Sequence, residues 1–171
     1  GAVFRDLISL EANALSKAST IENLLEKILG QNFYLGTAHG SIVHQHGGRQ
    51  ELHQDQGFVP LPHPTYPVAC LIIYTYTNFS LEEGATYVVP GSHRDASGNN
   101  LVTPTSPYEE LAKNNLLALN APAGCAILTD SRLLHSGGKR SAPGTRLASR
   151  ILYLRGFMRQ QENQLAGMTE E

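Results

Sequence analysis

The hydrophobic period changes at Gly30, and that change confines the chain to one broad kind of fold. Before it, apolar residues recur at helical spacing, at Phe4, Leu7 and Ile8 and again at Ile21, Leu24, Leu25 and Ile28, the pattern of helices with one apolar face. After it the period moves towards two, in short runs at Phe33 to Leu35, Ser41 to His46, Glu51 to Asp55, Ala69 to Tyr76, Ala85 to Val89, Leu116 to Asn120, Ala126 to Thr129 and Leu147 to Phe157. Strands of ordinary length, separated by Gly and Pro turns and preceded by helices, pack as a mainly antiparallel sandwich or barrel with the helices outside. The expected fold is therefore mainly β, a double-stranded β-helix of jelly-roll or cupin-like form. Its expected parts are a helical flank over 1–30, the roll over 31–159 and a polar tail over 160–171.

Local signals add detail. Ser19 or Thr20 is expected to cap the second helix, with Glu22 in its first turn and Gly30 at its end. Gly47-Gly48 reads as a hairpin turn between the runs on either side. Gly57 to Pro67 and Asp95 to Asn115 are rich in Pro, Asn, Ser and Thr without strand alternation, as expected of binding loops or a lid.

A chain of 171 residues suits one domain with a sizeable core. Lys and Arg number 13 and never cluster, so no nucleic-acid partner is expected. The absence of an apolar stretch of about 20 residues removes the expectation of a membrane span. Cys70 and Cys125 each lie in an apolar run and read as reduced core thiols of a cytoplasmic protein. Because Gly1 already lies inside what reads as structure, the chain is expected to be part of a longer protein.

Against this scaffold, the residues with the most chemistry are His53, Asp55 and His135. Two imidazoles and one carboxylate are what a facial triad needs to hold Fe(II) while leaving coordination positions open. On an extended strand, side chains at i and i+2 share a face, so His53 and Asp55 reach one metal while Gln54 faces away. His135 must arrive from elsewhere. Arg146 lies eleven positions after His135, with Ser136-Gly137-Gly138 and Pro143-Gly144 as turn residues between two strands. Seven histidines make accidental pairings easy. The nearest decoy is His44-x-His46 with Glu51, close to the first metal-binding motif of cupins, which would make a cupin-type metalloenzyme. The later Ala123-Gly124-Cys125 brings no His to complete that motif. A non-catalytic jelly-roll binding module is the remaining alternative.

With these residues in place, the chain from about Asn23 to about Phe157 resembles the phytanoyl-CoA dioxygenase family of Fe(II)/2-oxoglutarate enzymes. The resemblance is carried by His53-x-Asp55, by His135-Ser136-Gly137-Gly138, by Gly84-Ala85-Thr86 running to Pro90-Gly91-Ser92-His93, and by Ala121-Pro122-Ala123-Gly124 ahead of the distal His. Gln50, Thr86 and Arg146 particularly resemble the fungal branch that tailors alkaloids, terpenoids and peptides. The resemblance implies Fe(II) on His53, Asp55 and His135, with 2-oxoglutarate contacted by Gln50, Thr86 and Arg146. With O2, these would oxidise an unactivated C–H bond of a largely apolar small molecule, such as an alkaloid, and release succinate and CO2. Asp55 makes halogenation an unexpected outcome, since the iron halogenases of this group lack that carboxylate. Phe58, His63 and Tyr66 are expected to line the substrate pocket. The fungal branch also implies a homodimer, and family members usually carry further residues at both ends.

Overall fold

A computed structural model describes residues 18–94 and 108–163. The expected first helix lies outside the described residues, as does most of the Asp95 to Asn115 segment; Tyr108–Ala112 of that segment is a short helix rather than loop. The architecture is the expected jelly roll. In chain order the elements are α1 (Ala18–Leu29), β1 (Tyr34–His44), β2 (Ala69–Thr75), β3 (Tyr87–Val88), α2 (Tyr108–Ala112), β4 (Leu117–Ala118), β5 (Ala126–Asp130), β6 (His135–Ser136) and β7 (Thr145–Leu154). The larger sheet has the order β1-β7-β2-β5 and the smaller β4-β3-β6, with every pairing antiparallel.

Helix α1 forms because Ile21, Leu25, Ile28 and Leu29 fall on one face, and that face packs on Cys70 and Ile72 of β2. Leu24, off that stripe, is exposed. The chain is already helical at Ala18, so Ser19 and Thr20 sit in the first turn instead of capping it, and Glu22 falls beyond that turn. The helix ends at Gly30 as expected, with the Gly30 amide donating to the Glu26 carbonyl at 2.8 Å. Arg155 donates to the Ile28 carbonyl at 3.0 Å and so satisfies one of the carbonyls a helix end leaves free.

Strand β2 is apolar on both faces because both are covered. Cys70 and Ile72 meet the helix, while Leu71 and Ile73 face the interior of the roll with Phe79, Ala85, Ala148 and Leu152. Burial pushes the Cys70 thiol up to about 12, which suits an inert core residue. Cys125 is only half-buried.

Three strand expectations change. The runs at Phe33 and Ser41 are one strand, β1, whose partner is β7 along its whole length, from Tyr34↔Leu154 to His44↔Thr145. Gly47-Gly48 therefore closes a turn with the Gly47 amide on the His44 carbonyl, and no hairpin joins β1 to the 51–55 run. Glu51 to Asp55 is no strand: His53 makes a single antiparallel bridge to His135, and a turn begins at Asp55. The tail is not free at its start, since Gln160 donates to the Leu35 carbonyl at 2.8 Å. Among the described residues no helix is long and apolar enough to cross a membrane.

Candidate metal centre

The single bridge is what assembles the site. His53 and His135 exchange both backbone hydrogen bonds, each 2.9 Å, so the two residues stand directly opposite and their side chains emerge on the same face. The rings lie 4.3 Å apart between centroids. Asp55, two residues on, keeps the same side, and one ligand atom from each of the three residues lies within 4.8 Å of the others. No other group of three such residues converges in this way among the described residues.

The tautomers are set by the neighbours. Nδ1 of His53 lies 2.8 Å from the Glu51 carbonyl and Nδ1 of His135 lies 2.9 Å from that of Leu133. A carbonyl only accepts, so both Nδ1 atoms carry the proton and both Nε2 atoms keep a free lone pair. The Nε2 atoms point at the carboxylate of Asp55, at 3.8 Å and 3.4 Å. Nε2 of His135 and Oδ2 of Asp55 are buried without a hydrogen-bond partner. Burial holds the His135 imidazole below its ordinary range, against the opposing pull of Asp55. A neutral, orphaned imidazole beside an orphaned carboxylate oxygen is the donor set of a divalent metal, and its two N and one O donors fit iron.

His135 also lines a cavity of about 120 Å³ together with Gln50, Thr86, Gly137 and Arg146. Arg146 reaches it from β7, where alternate residues face inward. Its guanidinium is buried, lies 4.3 Å from the centre of the Phe79 ring, and donates to the Gly84 carbonyl while Nε has no partner. Burial, with Arg150 and Arg140 as positive neighbours, pushes it down to about 10. It remains charged at neutral pH yet lacks a carboxylate partner among the described residues, since nearby Glu83 is held by Arg140. A buried cation without a counter-charge marks the place of an anion. Gln50 is fixed on the wall by Gly137, whose amide donates to its Oε1 at 3.0 Å while its own amide donates to the Gly137 carbonyl at 2.9 Å. A side chain at residue 137 would run into that Oε1, and one at 138 into the Ala85 carbonyl, so the Gly137-Gly138 pair lets the chain after β6 lie close against Gln50 and Ala85.

His44 and His46 are exposed at the end of β1 and in the turn after it, and they join no ligand group. The cupin-type alternative therefore finds no metal cluster among the described residues: Val43 faces the cavity beside Arg146, and His44, its neighbour on β1, is exposed. Phe58, His63 and Tyr66 line neither the cavity beside His135 nor the open one beside Asp55. The turn after Asp55 carries their segment outward, where Gln56 binds Val68 and Ser131 and Arg132 binds the Pro64 carbonyl. His63 is buried there, and Tyr66 lies under Arg155.

One residue escaped the sequence reading. Arg150 places Nη2 3.8 Å from Oδ1 of Asp55. It stands four residues after Arg146 on β7, hence on the same face, and only that spacing could have signalled it.

The sequence profile of the family described as phytanoyl-CoA dioxygenase (PhyH) matches residues 2–148. The chain belongs to the phytanoyl-CoA dioxygenase family. A dioxygenase of Aspergillus fumigatus is 30% identical over 120 residues, which are 70% of this chain and 36% of that protein. The chain thus spans about a third of that relative. The crystal structure of AviO1 from Streptomyces viridochromogenes is similar in fold, with a TM-score of 0.64 and 16% identity over 79% of this chain and 57% of that one. So is EctD from S. alaskensis, solved with 2-oxoglutarate and 5-hydroxyectoine, at a TM-score of 0.61 and 21% identity over 76% of this chain and 47% of that one.

Proposed function

We propose that the chain carries the catalytic centre of an Fe(II)- and 2-oxoglutarate-dependent oxygenase that oxidises a C–H bond of a small molecule. The observation that carries this reading is the pairing of two unmet demands across one small cavity. At one end, His135 lines the cavity with a buried Nε2 that has no partner and lies 3.4 Å from the equally orphaned Oδ2 of Asp55; at the other, Arg146 is a buried cation without a carboxylate among the described residues. A metal chelated by a dicarboxylate keto-acid meets both demands together. The volume supports a small acid rather than a drug-sized ligand, whose pockets run about 300–1,000 Å³.

His53, Asp55 and His135 would hold the metal, with Glu51 and Leu133 carbonyls fixing the imidazoles so that Nε2 faces it. Arg146 would take the far carboxylate of 2-oxoglutarate with parallel N–H donors. Gln50 and Thr86, on the same wall, would orient the bound acid. Ile73, Phe79 and Ala148 supply apolar lining that keeps water from the site. Bound there, Fe(II) and 2-oxoglutarate supply the oxidising chemistry, with O2 consumed and succinate and CO2 released. A secondary metabolite is the substrate class we favour, because the Gln50, Thr86 and Arg146 pattern resembles the branch of the family that tailors such molecules.

Succinate formation from 2-oxoglutarate tests the reading. It is expected to require Fe(II) and to fall by about 100-fold or more in Asp55→Ala, since a carboxylate ligand is lost outright. Equal succinate formation with and without Fe(II), or by the variant, would overturn it.

A further inference from the structure

The metal centre lies between two cavities. His135 faces the small one beside Arg146, whereas Asp55 faces an open one of about 320 Å³ on the other side. Arg150 and Ser41 line both. The open cavity is lined by buried Leu71, Leu152 and Thr37, with exposed His39 at its rim.

Arg150 is the charge that the proposed function leaves unused. Asp55 is the one carboxylate within 4.0 Å of it among the described residues, and at 3.8 Å the contact is loose. The remaining acidic group near the rim, Glu162, is engaged by His39 at 3.3 Å. Once Asp55 binds a dication, its charge is committed to the metal. A doubly charged keto-acid then offsets what remains of the metal together with Arg146. The guanidinium of Arg150 is left at the mouth of the open cavity with no counter-charge, and it is part-exposed rather than walled off.

We propose that the open cavity beside Asp55 is the substrate site and that Arg150 selects a substrate bearing a carboxylate next to an apolar body. This deepens the proposed function and rests on it. The planar guanidinium receives the carboxylate in a paired contact, while Leu71 and Leu152 accept the apolar part. Substrate orientation relative to the metal is then set from β7, the strand that also carries Arg146.

The test uses Mn(II)-loaded protein with saturating 2-oxoglutarate and reads the paramagnetic relaxation of added hexanoate and, separately, 1-hexanol. Hexanoate protons are expected to relax near the metal, with 1-hexanol binding at least about tenfold more weakly, the scale of one charge-assisted contact. With Mn(II) and 2-oxoglutarate held at concentrations that saturate each variant, Arg150→Gln is expected to abolish the preference and Arg150→Lys to keep part of it. Equal binding of acid and alcohol overturns the assignment, as does an unchanged preference in Arg150→Gln. Failure of both variants to reach saturation with Mn(II) and 2-oxoglutarate overturns it as well, by making Arg150 a support of the centre. Failure of the wild-type protein to bind Mn(II) and 2-oxoglutarate at all removes the proposed function itself.

Discussion

Arg146 shows how much one side chain carries. Its burial is tolerable only because the Gly84 carbonyl and the Phe79 ring receive part of the guanidinium, and the rest awaits an anion. Arg146→Lys keeps the charge but loses the paired donors, so 2-oxoglutarate affinity is expected to fall roughly tenfold or more with metal affinity unchanged. Calorimetric titration of both ligands checks this; equal losses for both would point to a collapsed site. The ligand residues were legible in the sequence because the chemistry is local in composition: His53-x-Asp55, a distal His with a Gly pair, and an arginine after it. Arg150 was not picked out, because its value depends on which face of β7 looks inward. That face is fixed only by β1 and β2 pairing on either side.

At the scale of elements, β2 is the strand on which both faces of the large sheet depend. Ile72 is fully buried between α1 and the sheet. Ile72→Ala is expected to lower the unfolding free energy by about 2–5 kcal/mol, read by denaturant unfolding; a change under about 1 kcal/mol would mean that α1 does not pack there in solution. The runs around Ala69 and Leu147 announced β2 and β7 by their apolar content. The smaller sheet was harder to read, since β3, β4 and β6 are two residues each and no period shows over so short a span. The 51–55 segment misled for a related reason: it alternates like a strand, yet only His53 finds a partner. That single bridge nevertheless decides the metal geometry. Gly138→Ala tests it from the other side of β6. The added methyl meets the Ala85 carbonyl, so the strand must shift, and metal affinity is expected to fall together with stability.

For the whole molecule, the roll places several polar groups inside, His63 and His135 among them. His63 is buried, and burial lowers its pKa from 6.5 against the opposing pull of the Val59 backbone. His93 and His135 shift in the same direction, also chiefly through burial. A lowered folded pKa favours the neutral form, so the unfolded chain takes up protons first as pH falls. Stability is then full above about pH 6.5 and is lost below it, by at most ~1.4 kcal/mol per pH unit for each proton. Urea unfolding from about pH 7.5 to about pH 5 is expected to show this loss, shallower in His63→Leu than in the wild type. Identical slopes would mean that His63 is not neutral and buried in solution. Neutral His135 also keeps its metal to lower pH than an ordinary imidazole would.

The proposed chemistry stands or falls with His53, Asp55 and His135 holding Fe(II) while a keto-acid spans from it to Arg146. Anaerobic titration of the protein with Fe(II) and then 2-oxoglutarate, followed by visible absorption, reads that arrangement without turnover. A weak metal-to-ligand charge-transfer band is expected, one that needs both additions and is absent in Asp55→Ala. No band in the wild-type protein with both ligands present, or the same band in Asp55→Ala, would refute the arrangement.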